Sequence, residues 1–257
     1  MRFDDFDKKM RVYEQSLDQT VLPDMYIVVR LDGRGFTKLT KEVCGFEAPF
    51  DSRFRDLMIH TVKALMESGP NIVYGFTQSD EISLLFARND NTFNRKVRKL
   101  VSVLAGEASA VFSMELGKRA VFDARVIPLP NAERVADIFL WRQEDAHRNS
   151  LNGYCYWTLR KEGLSVRAAT GALKGRGDAY KNELLFKRGI NYNDLPAWQK
   201  RGIGLWREQY TKEALNPITG ESVQAVRRRI TVCEDLPRGE QYADLVKRLI
   251  ADVDTVN

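Results

Sequence analysis

Apolar and polar positions along the chain keep two different periods, and the switches between them mark out the elements. Residues 3–19 put Phe3, Phe6, Met10, Tyr13 and Leu17 on one stripe, which predicts an opening helix ended by Pro23-Asp24. Tyr26-Ile27-Val28-Val29 is a short β-branched run and reads as a buried strand. A helix is expected over 37–43 and a loop over 45–50. A second helix, capped by Asp51 or Ser52, runs to about Glu67 with Phe54, Leu57, Met58, Val62 and Leu65 inward. Residues 72–77 and 82–86 form a hairpin around Gln78-Ser79-Asp80-Glu81. The pattern next gives a long helix over 91–114, a strand over 121–127, and one or two helical segments from Asn131 onward, with Gly153 as a candidate break. Residues 170–178 read as a flexible basic loop, 178–186 as a helix, and 189–196 as a loop. A strand over 202–207, a polar excursion over 210–223 and a last helix near 242–253 complete the chain. No internal repeat or low-complexity segment interrupts it.

Three places carry candidate chemistry. The strand at 26–29 ends in Arg30-Leu31-Asp32, and Gly33-Arg34-Gly35 turns the chain into Phe36-Thr37-Lys38-Leu39. Two glycines let backbone N–H groups approach a phosphate, and a following helix turns its positive end toward the same anion. The alternative is a strand, a polar turn and a helix with Asp32 as its cap. At the hairpin tip, Asp80 and Glu81 are adjacent carboxylates, either a solvated acidic turn or a pair awaiting a cation. Asp32 and the Asp80/Glu81 pair each flank an apolar strand, an arrangement that can gather carboxylates at one sheet edge. Two hard divalent cations held by such acids, roughly 3.5–4 Å apart, are a recurrent device for nucleotidyl transfer. The third place is the start of the 91–114 helix, where Arg95, Lys96, Arg98 and Lys99 crowd together. Cations there oppose the helix dipole, so a bound anion would relieve them; a solvated basic face is the other reading.

Composition narrows the class. The 257 residues are 44% hydrophobic and 29% charged with a formal net charge of +5, which suits a substantial core and a mild preference for polyanions. Cys44, Cys155 and Cys233 are far apart with no CxxC pair, so neither a disulfide framework nor a zinc site is expected, and a reducing compartment fits. The start MRFDDFDKKM has no apolar core of the signal-peptide kind, and no run approaches the roughly 18 apolar residues of a membrane span. The expectation is a cytoplasmic protein without membrane association.

Taken together, the motifs resemble the histidine-tRNA guanylyltransferase family and its bacterial and archaeal 3′–5′ polymerase relatives. Arg30-Leu31-Asp32-Gly33-Arg34 with Phe36 is similar to the family's RxDGRxF, and Tyr74-Gly75 with Ser79-Asp80-Glu81, Ser83 and Phe86 to its YGxSDExSFxF, with one extra residue before Gln78. Arg95 and Lys99, Trp141-Arg142-Gln143 with Asp145 and His147, the run from Lys181 to Phe186 and Ile190-Asn191-Tyr192-Asn193 extend the likeness in order to about residue 207. The resemblance implies an α+β fold with a polymerase-palm-like antiparallel sheet and helices packed on it. It implies a catalytic core over 1–135 and a continuation over 136–257 with helical and C-terminal tRNA-contacting elements. It also implies Mg²⁺-dependent, 3′–5′ addition to the 5′ end of tRNA, with GTP and ATP as substrates and a homotetrameric assembly.

By the same resemblance Asp32, Asp80 and Glu81 are catalytic, and with Gly33 they hold two Mg²⁺ ions. Asp32, Gly33, Arg34, Gly35, Phe36, Thr37, Ser79 and Asp80 hold the nucleotide. Arg95 and Lys99 meet a second triphosphate or the RNA 5′ phosphate, while His147, Asn149, Lys181 and Asn182 serve activation or tRNA handling. Where eukaryotic members carry HINNLYN, this chain has His147, Asn149 and Leu151 but departs at Ser150, Asn152 and Gly153, and Thr37 stands where His is frequent. These departures favour template-dependent repair of 5′-truncated tRNA over guanylate addition specific to histidine tRNA. A palm enzyme of the nucleotide-cyclase type and a non-catalytic RNA-binding module are the remaining readings. The latter must explain why clustered carboxylates, which repel RNA phosphate, would be kept.

Overall fold

The computed structural model describes residues 2–215 and 222–254. Six antiparallel strands form one sheet in the order β4-β1-β3-β2-β5-β6. They are β1 (Tyr26–Gly33), β2 (Ile72–Gln78), β3 (Glu81–Phe86), β4 (Phe122–Leu129), β5 (Ile203–Leu215) and β6 (Ser222–Cys233). β1 lies inside the sheet between β4 and β3, and its residues are buried on both faces. Ile27, Val29 and Leu31 meet one helical layer and Tyr26 and Val28 the other, as the period of two requires.

The first layer is α3 (Ser52–Glu67) and α4 (Val97–Leu116), which bury Met58, Val62, Leu65, Leu100, Leu104 and Phe112 against the sheet. Asp51 caps α3 by accepting from the Arg53 N–H at 2.8 Å. The second layer is α5 (Ala132–Lys161) and α9 (Gly239–Asp254), packed through Val135, Phe139, Tyr242 and Val246. Tyr74 of β2 and Tyr242 are both fully buried and satisfy each other at 2.9 Å between hydroxyls. α5 is unbroken through Gly153, so its 30 residues run about 45 Å. Its far half carries a separate core with α6 (Val166–Leu173) and α7 (Asp178–Phe186).

Four expectations need correction. Residues 170–173 belong to helix α6, so the loop shrinks to the four residues before α7; Leu173 and Ala169 supply the buried face that the glycines obscured. Most of the polar excursion over 210–223 is a hairpin, since β5 and β6 stay paired from Gly204↔Cys233 to Leu215↔Ser222; residues 216–221 lie outside the described residues. Only Ile203–Trp206 of β5 also pairs with β2, so the rest pairs with β6 alone as a two-stranded arm. The basic helix starts at Val97 and not at Asn91, because Phe93, Asn94 and Arg95 have φ of 55°, 51° and 57°. The opening helix is α1 (Phe3–Glu14), shorter than expected, and none of its residues is buried.

Candidate active site

The end of β1 is held from both sides. Asp32 lies directly across from Glu81 on β3 and from Asp123 on β4, so three carboxylates stand in register across neighbouring strands. Such a row is unfavourable unless each charge is answered. Glu81 is answered by Arg142 of α5, whose Nε and Nη2 donate to its two oxygens at 2.6 and 2.8 Å. Asp123 is exposed and near Arg125. Asp32 has no ion pair among the described residues.

Asp80 joins Asp32 through the turn between β2 and β3. Ser79 takes φ of 52°, and the Asp80 carbonyl accepts from the Gly33 N–H at 3.1 Å, tying the hairpin tip to the end of β1. The Asp80 carboxylate accepts from the Ser79 hydroxyl at 3.1 Å and has no cationic partner among the described residues. Burial, with the Asp32 charge adding to it, holds the Asp80 carboxyl above the usual carboxylate range. Burial likewise raises Glu81, against the opposing pull of Arg142.

The loop after Asp32 is fixed by an aromatic plug. Phe36 is buried with ring centroids 4.9 Å from Phe122, 5.2 Å from Phe112 and 6.1 Å from Phe54. A Cβ on Gly33 would come within 2.5 Å of that ring, so only glycine fits there, and Gly35 turns the chain at φ of 73°. Helical backbone then runs over α2 (Phe36–Lys38) and a wider turn, Leu39–Val43. Its first N–H groups have no acceptor within the helix.

A cleft of about 430 Å³ opens here, lined by Asp32, Phe36, Thr37, Ser79, Asp80 and Glu81 on the sheet side. Phe46, Phe50, Trp157 and Trp198 give it aromatic walls, and Lys41 and Arg55 give it cations. That volume lies in the range of small-molecule sites. Gly33, Arg34 and Gly35 do not line the cleft; Arg34 is exposed, and its N–H donates to the Val121 carbonyl at 2.8 Å.

Asp32 and Asp80 suit a hard divalent cation: both are oxygen donors without a cationic partner, and the raised Asp80 is a group that a cation would relieve. No closed cage of three or more His, Cys, Asp or Glu exists among the described residues. A magnesium-type site needs none, because one or two carboxylates suffice when phosphate oxygens and water complete the shell.

Geometry corrects one expected role and adds a partner to another. Arg95 is buried, and all five of its guanidinium N–H donors point at backbone carbonyls: Val21, Leu22, Met25, Arg88 and Asp90, at 2.5–3.3 Å. None is left for a phosphate. Glu81, expected at a metal ion, has both oxygens engaged by Arg142, which also donates to Asp145 at 2.8 Å and fastens the hairpin tip to α5. Of the remaining basic cluster, Lys96 and Arg98 both pair with Asp18, and Lys99 is exposed.

The last four residues separate. Asn149 lines the cleft and donates to Asp145 at 3.1 Å. His147 and Asn182 meet in a second cavity of about 380 Å³ with Tyr192 and Arg238, and burial lowers the His147 pKa. Lys181 lines neither cavity; its carbonyl accepts from the Cys155 thiol at 3.4 Å. Arg142 and Asp145 stand in a recognisable motif, but its spacing gives no sign that Arg142 holds Glu81 while Asp145 accepts from Arg142. Asp51, Lys41 and Trp198 were also missed as cleft residues, and nothing in local spacing signals them.

A tRNA(His) guanylyltransferase family model matches residues 7–130, and the model of that family's C-terminal domain matches residues 133–243. The tRNA(His) guanylyltransferase of Debaryomyces hansenii is 36% identical over 230 residues, 83% of this chain and 86% of that protein. A probable tRNA(His) guanylyltransferase of Homo sapiens is 36% identical over 229 residues, 82% and 76% of the two. Among solved structures, a bacterial tRNA(His) guanylyltransferase-like protein in complex with ATP superposes with a TM-score of 0.75 at 29% identity, covering 95% of this chain and 98% of that one. Such a protein in complex with GTP gives 0.72 at 28% identity, covering 96% and 99%. With family models spanning most of its length and a palm-like sheet bearing convergent acids, the chain belongs to the tRNA(His) guanylyltransferase family and is a nucleotidyltransferase.

Proposed function

We propose that this protein adds guanylate to the 5′ end of tRNA(His) in the 3′–5′ direction. The observation that carries the reading is the meeting of Asp32 and Asp80 at the rim of a triphosphate-sized cleft, joined by the Gly33–Asp80 hydrogen bond. The names of the relatives favour this substrate over the template-dependent repair with which the sequence reading led. The 5′ phosphate of the RNA attacks the α-phosphorus of ATP and releases pyrophosphate. The 3′-hydroxyl of GTP then attacks the activated 5′ phosphorus and releases AMP.

Asp32 and Asp80 are the groups that would hold Mg²⁺, which when bound makes the hydroxyl a better nucleophile and steadies the leaving group. The free N–H groups at Phe36 and Thr37 and the hydroxyls of Thr37 and Ser79 receive the triphosphate. Trp157, Trp198, Phe46 and Phe50 supply stacking faces for the base. Arg142 keeps Glu81 and the hairpin tip in place, and exposed Lys99 is available to RNA phosphate.

A second reading, repair of 5′-truncated tRNA, is favoured by where the HINNLYN departures fall. Gly153 lines the cleft, so one of the altered residues touches the site itself. The test incubates the protein with Mg²⁺, ATP and labelled GTP on two RNAs: 5′-monophosphorylated tRNA(His), and a tRNA lacking its first nucleotide. Label on the first supports guanylate addition, and label only on the second supports repair. Label on neither refutes both.

A further inference from the structure

The aromatic wall of the cleft has a charged far side. Trp157 and Pro49 line the cleft and also a neighbouring cavity of about 320 Å³, so the indole stands between the two. Lys161 lines that cavity one helical turn after Trp157 on α5, a spacing that makes the two side chains neighbours on the helix surface. Lys41 comes from the opposite wall. It lines the cleft, and its ammonium lies 5.9 Å from the centre of the Trp157 ring. Two ammonium groups from separate elements therefore meet at one indole.

Both lysines keep donors to spare. Lys161 is exposed, and Lys41 gives one hydrogen to the Glu47 carbonyl at 2.8 Å, leaving two. Of the carboxylates close by, Asp51 is bound by Arg53 through both oxygens, Glu162 is bound by Arg188 through both of its own, and Glu47 is exposed. Burial, aided by the Lys161 charge and opposed by Asp51 and Glu47, lowers the Lys41 pKa, so an electron-rich partner would relieve the pair. None of the acids at the ends of β1 and β3 is among the charges acting on Lys41, which separates it from the place of the triphosphate. What reaches Trp157 is the base, which stacks flat and turns its edge to the groups around the ring. Ammonium groups only donate, so they match an edge that only accepts. The guanine edge presents O6 and N7, two acceptors, whereas the adenine edge keeps N7 but carries an N6 amine with hydrogens of its own.

We propose that Lys41 and Lys161 are specificity-determining residues that read the O6/N7 edge of a guanine stacked on Trp157, given that this cleft holds the nucleotide as the proposed function has it. Selection then depends on the acceptors of the base and not on its 2-amino group. ATP still enters through its triphosphate, but without these two donors on its base.

The experiment titrates the full-length protein with triphosphates by calorimetry, with Mg²⁺ present and no RNA, so that it reads binding apart from transfer. GTP and inosine triphosphate share O6 and N7 and should bind alike, about tenfold tighter than ATP and diaminopurine triphosphate, which carry an amine at that edge. This series needs no variant and stands whether or not the variants fold. Lys161→Met and Lys41→Met should each cut the GTP-to-ATP affinity ratio about fivefold while ATP affinity stays within about twofold, and Lys161→Arg, which keeps its donors, should retain the ratio. A merely structural role would weaken both nucleotides together. Inosine triphosphate binding as weakly as ATP, equal loss of GTP and ATP affinity in the methionine variants, or an unchanged ratio in both would each overturn the proposal. If the nucleotide ranking holds while neither RNA takes up label in the transfer assay, base reading stands and the proposed function falls; if no triphosphate binds, both fall.

Discussion

Replacing Arg95 by Lys separates the structural role of this residue from a phosphate-binding one. The side chain keeps its charge but drops from five donors in a planar fork to three on a single nitrogen. At least two of the carbonyls of Val21, Leu22, Met25, Arg88 and Asp90 then lose a charged donor in a buried setting. Each such bond is worth about 1.5–3 kcal/mol, so the variant should lose roughly 3–6 kcal/mol. The loss is concentrated where it matters, because Arg95 also holds three consecutive residues at positive φ and fastens the segment leading into β1. For a chain of this length each kcal/mol moves Tm by roughly 2–4 °C, giving a drop of about 6–24 °C. Differential scanning calorimetry reads that drop, and GTP titrations well below the new Tm should give a KM within about twofold of wild type. A Tm within 1 °C of wild type combined with a tenfold rise in KM would refute the reasoning and return Arg95 to the nucleotide.

Three further outcomes follow from the site. Gly33→Ala should cost roughly 2 kcal/mol or more in chemical denaturation, since its Cβ enters the Phe36 ring, whereas Gly106→Ala, whose Cβ meets nothing within 4 Å, should gain about 1 kcal/mol as a helix substitution. Arg142→Met leaves the Glu81 carboxylate unpaired in a mostly buried position; a loss of about 2–4 kcal/mol with reduced transfer is expected, partly recovered in Arg142→Lys. Asp80 tests the pH dependence. Its folded pKa is raised, so stability falls as pH rises from the unfolded value to the folded one and the full cost is present above it, while below the unfolded value both states are protonated. In chelator, Asp80→Asn should therefore melt above wild type at pH 7, with the gap closing near pH 3; equal melting at pH 7 counts against the burial of that charge.

The part of the site that was legible in the sequence is the part built from local pattern. Asp32 and Asp80 end or flank apolar strands, and antiparallel pairing of those strands leaves their acids at one edge. Gly33 and Gly35 were legible for the same reason, as a turn between two periodic segments. Arg95 was not, because its partners come from residues 21–25 and 88–90, and no spacing within a basic helix tells a carbonyl-bound guanidinium from a solvated one. The partner of Glu81 was not legible because Arg142 reaches it from 61 positions away. The β5–β6 arm escaped notice since alternation is written where one face is buried, and Arg207, Gln209 and Thr211–Glu213 are exposed.

The central claim is that Asp32 and Asp80 work as one cation-binding unit on which transfer depends. The most direct measurement is a double-variant cycle on single-turnover 5′ addition, using Asp32→Asn, Asp80→Asn and both together, with folding checked by calorimetry. Each single change should slow transfer by about a thousandfold or more, and the pair should be no slower than either, as groups acting together behave. Near-normal transfer in either single variant, or losses that multiply in the double, would contradict the account.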